Sequence, residues 1–446
     1  MVEFEYKNTG IDWLSKFPKH WRIDRIKDHF RDDLKQINEK DLSKIEEVAH
    51  YSIPSFDENG EPEICTGDSI RSGKKVLKGI GVLYSKLNCW KPRVWSYAIN
   101  KDDILSVAST EFIGLRPIHD NQNDLTYIQY LLSSEAFTST VKIFLKSVTN
   151  SHQRISPETF VSQNIPLPPL PEQKAIANYL DKACRRIDSI IDIKQKQLER
   201  IDGYFSSKVK EIISSGVNKD HTKKESGFDW FKNIPKNWKV VRLKSVLSKI
   251  NSGVTPKGGS TSYIDEGIPL IRSQNIRFNK LDLSEVVYIT EDIHNGMSNS
   301  KLIKGDVLLN ITGASLGRCF YYNSSDEANV NQHVCILRPF QLIRTKFLYY
   351  LMRSEIGQAQ ILSGFTGSGR EGLSFESIKR FRIPLPPKDE QEQIEIQLDS
   401  LSLKIQKLNE KIKNQITTLQ AYRKSLIHEC VTGKKQIWKG KIETVS

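Results

Sequence analysis

Two stretches of the chain carry apolar residues at helical spacing over an unusual length. In the later one they fall at Ile394, Leu398, Leu401, Ile405, Leu408, Ile412, Leu419, Tyr422 and Leu426. Steps mostly of four and three residues put these side chains on one stripe of an α-helix, the heptad seam of a coiled coil. The earlier stretch repeats the pattern at Ile176, Leu180, Ala183, Ile187, Ile190, Leu198, Ile201 and Val209, with Lys194 interrupting. Gly216 and Gly433 follow as C-terminal stops. About forty helical residues extend ~60 Å. Elsewhere the apolar runs are short and bounded by Gly, Pro, Asn or Asp. Val246-Leu247, Ile268–Ile271, Val286–Ile289 and Val307–Leu309 predict strands. Lys304-Gly305-Asp306 and Lys101-Asp102-Asp103 look like turns feeding strands, and a helix is expected after each, around 124–136 and 343–356.

The chain says most of this twice. Asp12-Trp13 and Phe17-Pro18-Lys19-His20-Trp21 return at an offset of 217 as Asp229-Trp230 and Ile234-Pro235-Lys236-Asn237-Trp238. Ile165-Pro166-Leu167-Pro168-Pro169 and Glu172-Gln173 return at an offset of 218 as Ile383–Pro387 and Glu390-Gln391. Leu115-Arg116-Pro117 and Ser134-Glu135 are echoed by Leu337-Arg338-Pro339 and Ser354-Glu355. Six such pairs in one order mark a tandem duplication whose unit is domain-sized, far longer than the roughly 20–50 residues of a solenoid repeat. The prolines cannot continue a helix or sit in a central strand, so each cluster sets a stiff, extended entry into the long helix that follows.

This predicts a mixed α/β fold: two tandem α/β domains, residues 1–164 and 217–382, separated by two long helices, within 165–216 and 383–433, before a basic tail, 434–446. Two related helices in one chain can pack antiparallel about a pseudo-twofold axis as a spacer. Similar frames with dissimilar interiors suggest one scaffold presenting two recognition surfaces.

Composition adds a partner class. Lys and Arg total 66 against 53 Asp and Glu, a net charge of +13. The stretches 172–213 and 389–430 together carry only +1, which leaves +12 in the globular units and tails. A surplus placed there suits a polyanion. Candidate DNA contacts are Arg71, Lys74, Lys75, Lys91 and Arg93 in the first unit. In the second they are Lys257, Arg272, Gln274, Asn275, Arg277, Arg318 and Arg370. Arg, Lys, Asn and Gln are the side chains that reach base edges and phosphates.

Residue patterns that carry catalytic chemistry are scarce in the chain. Residues 67–74 miss a phosphate-binding loop by one residue and lack the Ser or Thr after the lysine. The nine histidines form no metal-binding pair, and the six cysteines form no CxxC. No methyltransferase tetrapeptide or nuclease carboxylate set is evident. No stretch approaches the ~18 apolar residues of a membrane span, and the start of the chain lacks a signal pattern, so a cytoplasmic protein with reduced thiols is expected.

Opening in FPK-x-W or IPK-x-W, closing in IPLPP-x-x-EQ and followed by a long helix, the paired units resemble the specificity subunits of Type I restriction-modification enzymes. That resemblance implies two target recognition domains, each reading one half of a bipartite double-stranded DNA site, with the helices fixing the spacer. It implies a non-catalytic chain whose partners are DNA adenine methyltransferase (modification) subunits, two in number, and restriction/translocase subunits. S-adenosylmethionine, ATP and magnesium would then belong to those partners, with no cofactor or metal in this chain. The positions carried over as scaffold and partner-docking residues are Trp21, Pro168, Pro169, Glu172, Gln173, Trp238, Pro386, Pro387, Glu390 and Gln391. Lys388-Asp389 departs from Leu170-Pro171 and leaves the second helix entry less rigid. Charge and duplication also fit a stand-alone bivalent DNA-binding regulator without enzymatic partners.

Overall fold

The computed structural model describes residues 5–11, 13–89, 91–100, 103–119, 121–147, 153–218, 222–365 and 372–438. Two compact units form, Met1–Lys194 with Asn414–Ser446 and Gln195–Lys413. The division passes through both long helices, so each unit holds half of each helix. The linear segments read along the sequence do not express that grouping.

The long helices run over Leu170–Ser215, 46 residues, and Lys388–Val431, 44 residues. At 1.5 Å per residue these are ~69 and ~66 Å. The prolines before them set their starts. The Pro169 carbonyl accepts from the amides of Glu172 and Gln173 at 2.9 and 3.0 Å, and the Pro387 carbonyl from Gln391 at 3.0 Å. Their ends are set by Gly216 and Gly433, at φ of 76° and 72°. A Cβ at Gly216 would lie 3.1 Å from the Trp238 ring, and one at Gly433 3.1 Å from Trp21 and 2.4 Å from Pro18. Glycine is therefore required twice over, for its left-handed backbone and for the indole against it.

Within each unit the two helix halves are antiparallel. In the first, Arg423 meets Asp188 at 3.0 Å and the Lys194 ammonium donates to Gln415 at 2.7 Å. In the second, Asn409 donates to Asp202 at 3.2 Å, and Phe205, Val209, Ile212 and Ile213 share a core with Ile394 and Leu398. The apolar seam is less continuous than its heptads predict. Ile176, Leu180, Ile187, Leu426, Ile394 and Leu398 are buried, whereas Ile190, Leu408 and Tyr422 are exposed. The first core covers Ile176, Leu180, Ile187 and Leu426 and the second Ile394 and Leu398, while Ile412 is buried outside both clusters.

The proline-rich entries are strands before they are turns. Asn164–Leu167 pairs antiparallel with Arg22–Arg25, and Arg382–Leu385 with Lys239–Arg242. Each ribbon has only two strands, so Pro166 and Pro384 cost no ladder bond on a further neighbour. In the first unit a four-stranded sheet orders Val94–Ile99, Gly79–Ser85, Phe112–Pro117 and Phe30–Arg31. Beside it lies a five-stranded sheet containing the parallel pair Leu105–Ser109 and Val48–Tyr51. The second unit has a four-stranded sheet of Leu247–Ser252, Val334–Pro339, Val307–Asn310 and Cys319–Tyr321. Its three-stranded sheet joins Val287–Ile289, Ile268–Ile271 and Asn329–Val330. The strands expected at 268–271, 286–289 and 307–309 appear within a residue, whereas Val246 ends a 3-10 turn and the strand expected there runs over Leu247–Ser252.

The helices expected around 124–136 and 343–356 are each two helices: Leu125–Ser133 with Glu135–Ile143, and Thr345–Arg353 with Glu355–Ser363. The break falls at Ser134 and Ser354. Each hydroxyl donates to the carbonyl three residues back, at 2.7 and 2.6 Å. Each also accepts from the amide three residues on, at 3.3 and 3.4 Å. One side chain thereby closes one helix and opens the next.

Candidate nucleic-acid interface

In the second unit four loops and the start of a fifth segment meet at one edge. The Asn310 side chain donates to the Ser273 carbonyl at 2.8 Å. The Asn331 amide reaches Ile271 at 3.1 Å, and the Gly253 amide reaches Asn331 at 3.2 Å. The Ile311 amide donates to His333 at 3.0 Å, and Leu373 to Ile311 at 2.8 Å. Gly253 passes so close to the next loop that a Cβ would fall 1.6 Å from the Val330 oxygen. Buried Asn275 belongs to this framework. It accepts from the Arg272 amide at 2.9 Å and donates to Asp282 at 2.9 Å, so its role is to shape the loop.

What the edge presents is polar. Gln274 and Gln332 are exposed, while Arg272, Thr312, Arg318 and His333 are half-buried. Arg272 is held by the Glu285 carbonyl at 3.3 Å and lies 5.7 Å over the Tyr263 ring. Lys257 is exposed on the loop after Gly253, and Arg277 is exposed in the turn that follows Asn275. Arg370 lies outside the described residues.

The first unit has the same framework with other side chains on it. The Lys86 amide donates to Glu111 at 2.9 Å, and the Ile155 amide to Lys86 at 3.1 Å, the counterparts of the Ile311–His333 and Leu373–Ile311 bonds. Where the second unit holds His333, the first holds Glu111, paired through two bonds of 3.0 Å with Arg154. Arg154 has no place among the sequence candidates, because nothing along the chain links it to Glu111, 43 residues earlier.

Of the candidates in the first unit, Arg71 is exposed. The other four are engaged within the fold. Lys74 is 6% exposed and donates to the Ser72 carbonyl at 3.1 Å and its hydroxyl at 2.6 Å. Burial lowers its pKa. Lys75 pairs with Asp32 at 2.9 Å. Lys91 lies 3.0 Å from Asp57, and Arg93 grips the same carboxylate at 2.8 and 2.7 Å. Chiefly through the Arg93 hydrogen bonds, the Asp57 pKa is lowered to about 2.

The recurring scaffold residues turn inward. Trp21, Trp238, Glu172, Gln173 and Gln391 are all buried, as are Pro168 and Pro386, whereas Pro169 and Pro387 are exposed. Gln173 accepts from the Asp124 amide at 2.9 Å and donates to Pro168 at 2.9 Å. Gln391 accepts from the Arg344 amide at 2.8 Å and donates to Leu342 and Pro386 at 2.9 and 3.0 Å. Each glutamine thus ties the proline entry to the N-cap amide of a short helix. The glutamates differ between copies. Glu390 accepts from the Trp238 indole at 2.7 Å and from Asn237 at 2.6 Å. Glu172 meets His20 at 2.8 Å, and burial raises its pKa.

Among the described residues, no cluster of three His, Cys, Asp or Glu side chains could hold a metal, and no helix is long and apolar enough to cross a membrane. The six cysteines are free thiols, five of them buried.

Two units built on one backbone plan, each with its own donors and acceptors on a loop edge, define a paired recognition scaffold. The model of the Type I restriction modification DNA specificity domain matches twice, over residues 24–202 and 235–418, and the chain belongs to that family. It is similar to the Type I restriction enzyme EcoBI specificity subunit of Escherichia coli, 26% identical, over 67% of this chain and 63% of that protein. The chain therefore spans just under two thirds of that relative's length. The MjaVIII specificity subunit of Methanocaldococcus jannaschii is 27% identical over 76% of this chain and 80% of its own. The putative MjaX specificity subunit of the same organism is 24% identical over 98% and 97%. A chain solved in a study of assembly and conformational transition of the type I R-M system shares the fold. It covers 94% of this chain and 99% of its own, at 17% identity and a TM-score of 0.73.

Proposed function

We propose that this chain is the DNA sequence-specificity subunit of a Type I restriction-modification complex, itself non-catalytic, acting on double-stranded DNA in the cytoplasm. Each unit reads one half of a split site through its loop edge. The observation that carries this reading is the shared framework with exchanged side chains. The Ile311–His333–Leu373 and Lys86–Glu111–Ile155 bonds superimpose as a pattern, while what they display differs. Identical frames with different donors suit two unlike half-sites, since base edges are told apart by donor and acceptor pattern.

Exposed Arg71, Lys257, Gln274 and Arg277, with half-buried Arg272 and Arg318, supply the phosphate and base contacts. The long helices set the spacer between half-sites and dock two adenine methyltransferase subunits and the restriction/translocase subunits. Those partners bring S-adenosylmethionine, ATP and magnesium. Along the chain the recognition domains are 1–164 and 217–382, and the spacer segments 165–216 and 383–433. The buried glutamine and tryptophan positions serve the frame, so docking falls to exposed helix residues.

A map of methylated adenine across the host genome, with and without this gene, tests the proposal. Loss of one split motif is the expected result and yields both half-sites and the spacer. Retention of every motif, while a methyltransferase co-purifies with the chain, would overturn it.

A further inference from the structure

Gln332 sits at the tip of the turn between strands Asn329–Val330 and Val334–Pro339, exposed on the loop edge. Its side chain is nevertheless not left to rotate. The Gln332 amide nitrogen lies 3.0 Å from Nε2 of His333, and Nδ1 of His333 lies 2.6 Å from the Thr312 hydroxyl. An amide nitrogen can only donate, so Nε2 accepts and the imidazole carries its proton on Nδ1, which donates to Thr312. The backbone fixes the ring in turn, because the His333 amide is bonded to the Asn331 side chain at 3.2 Å and its carbonyl to Ile311. Thr312 is anchored through a bridge to Gly372.

With one N–H engaged, the exposed Gln332 amide keeps one N–H donor and one carbonyl acceptor for a ligand. We propose that Gln332 is a specificity-determining residue of the second unit, reading an adenine in the major groove, with His333 and Thr312 as its positioning residues. Adenine alone offers an acceptor, N7, beside a donor, N6 amino, in the matching order. Guanine presents two acceptors to that pair and sets an oxygen against the glutamine carbonyl. Because the amide is oriented before DNA arrives, less rotamer freedom is lost on binding. The inference rests on the proposed function, since it takes the loop edge as the DNA face.

The test uses the complex of the full chain with its modification subunits from the host, methylating a DNA library randomised across the second half-site. Methylated products are sequenced for wild type, Gln332→Ala, Gln332→Glu, Thr312→Val and Arg318→Ala. Gln332 is exposed, so its variants keep the fold, and their melting temperatures verify it. Wild type should require adenine at one position. Gln332→Ala should relax that position roughly ten- to hundredfold and leave the others and the first half-site unchanged. Gln332→Glu should favour cytosine there, whose amino group donates to a carboxylate. Thr312→Val should relax the same position by a smaller factor, which a merely structural role would not confine to one base. An unchanged motif in Gln332→Ala, or equal loss at every position, overturns the assignment. If Arg318→Ala still weakens methylation in that case, the loop-edge reading stands. If all variants match wild type, the loop-edge reading falls as well.

Discussion

Replacing Gln391 by alanine should be among the most damaging changes of a polar residue in the second unit. Gln391 is 0% exposed, and its amide makes three bonds: from the Arg344 amide, and to the carbonyls of Leu342 and Pro386, at 2.8, 2.9 and 3.0 Å. Truncation leaves one donor and two acceptors unpaired, the Pro386 carbonyl in a buried place and the Arg344 amide and Leu342 carbonyl in part-buried ones. At ~1 kcal/mol for each orphaned group, the low end of the known range, the loss is about 3 kcal/mol. For a unit of this size 1 kcal/mol moves the melting temperature by roughly 2–4 °C, so a fall of roughly 6–12 °C is expected. Gln173→Ala should do the same in the first unit, where the glutamine bonds Asp124 and Pro168. Gln397, exposed on the same helix as Gln391, is the control, and its change to alanine should stay within about 0.5 kcal/mol. Calorimetry of the full chain reads all three variants. A fall below about 2 °C for Gln391→Ala, or one equal to that of Gln397→Ala, would refute the view that these glutamines clamp helix to entry strand.

Other expectations concern charge, backbone and length. Asp57 has its pKa lowered in the fold to about 2, from 3.8, so its charged form is favoured by folding. That contribution is present above pH ~4 and fades as pH falls toward ~2; screened by solvent, it amounts to on the order of 1 kcal/mol at neutral pH. Urea unfolding should show Asp57→Asn destabilised at pH 7 by this amount, with the gap narrowing below pH ~4; a gap independent of pH would contradict it. Gly433→Ala places a Cβ 2.4 Å from Pro18 at φ 72° and should cost at least ~1–2 kcal/mol, whereas Gly203→Ala, in open space on the first long helix, should gain ~0.5–1 kcal/mol. Thermal melts should move the two in opposite directions. Removing one heptad from the middle of both long helices shortens each by ~10 Å, about three base pairs, and the methylated motif should lose a comparable part of its spacer. An unchanged spacer would end the ruler reading.

What could be read in the sequence, and what could not, follows from where the partners of each residue lie. The recurring Trp, Pro, Glu-Gln and Gly positions were legible because both units must close the same frame. Gly216 backs against Trp238 and Gly433 against Trp21, and one solution is written twice. Ser134 and Ser354 were visible as an echo but not as a helix break, since serine also tolerates helix interiors. The heptads overstated the seam because periodicity records which stripe faces inward, not whether anything covers it. Charge misled most. Lys75, Lys91 and Arg93 stand in the sequence as bare cations, and only the fold brings Asp32 and Asp57, 34 to 43 residues away, against them.

Gln332 and His333, the proposed reading and positioning residues, carry no such mark along the chain. A histidine without a metal-binding partner at fixed spacing belongs to no motif, and a neutral amide in a turn adds nothing to a charge count. Setting the two copies side by side offers a better signal. His333 and Glu111 both stand four residues before the shared Leu-Arg-Pro, in the same hydrogen-bonded slot, yet one holds a glutamine and the other an arginine. A duplicated protein thus separates its own residues by physical role. Positions that agree between copies maintain the frame, and anchored positions that disagree are where the two units can read different bases. By that criterion the candidates with the strongest claim are oriented neutral side chains on a fixed backbone, while the surplus of positive charge supplies attraction to any sequence.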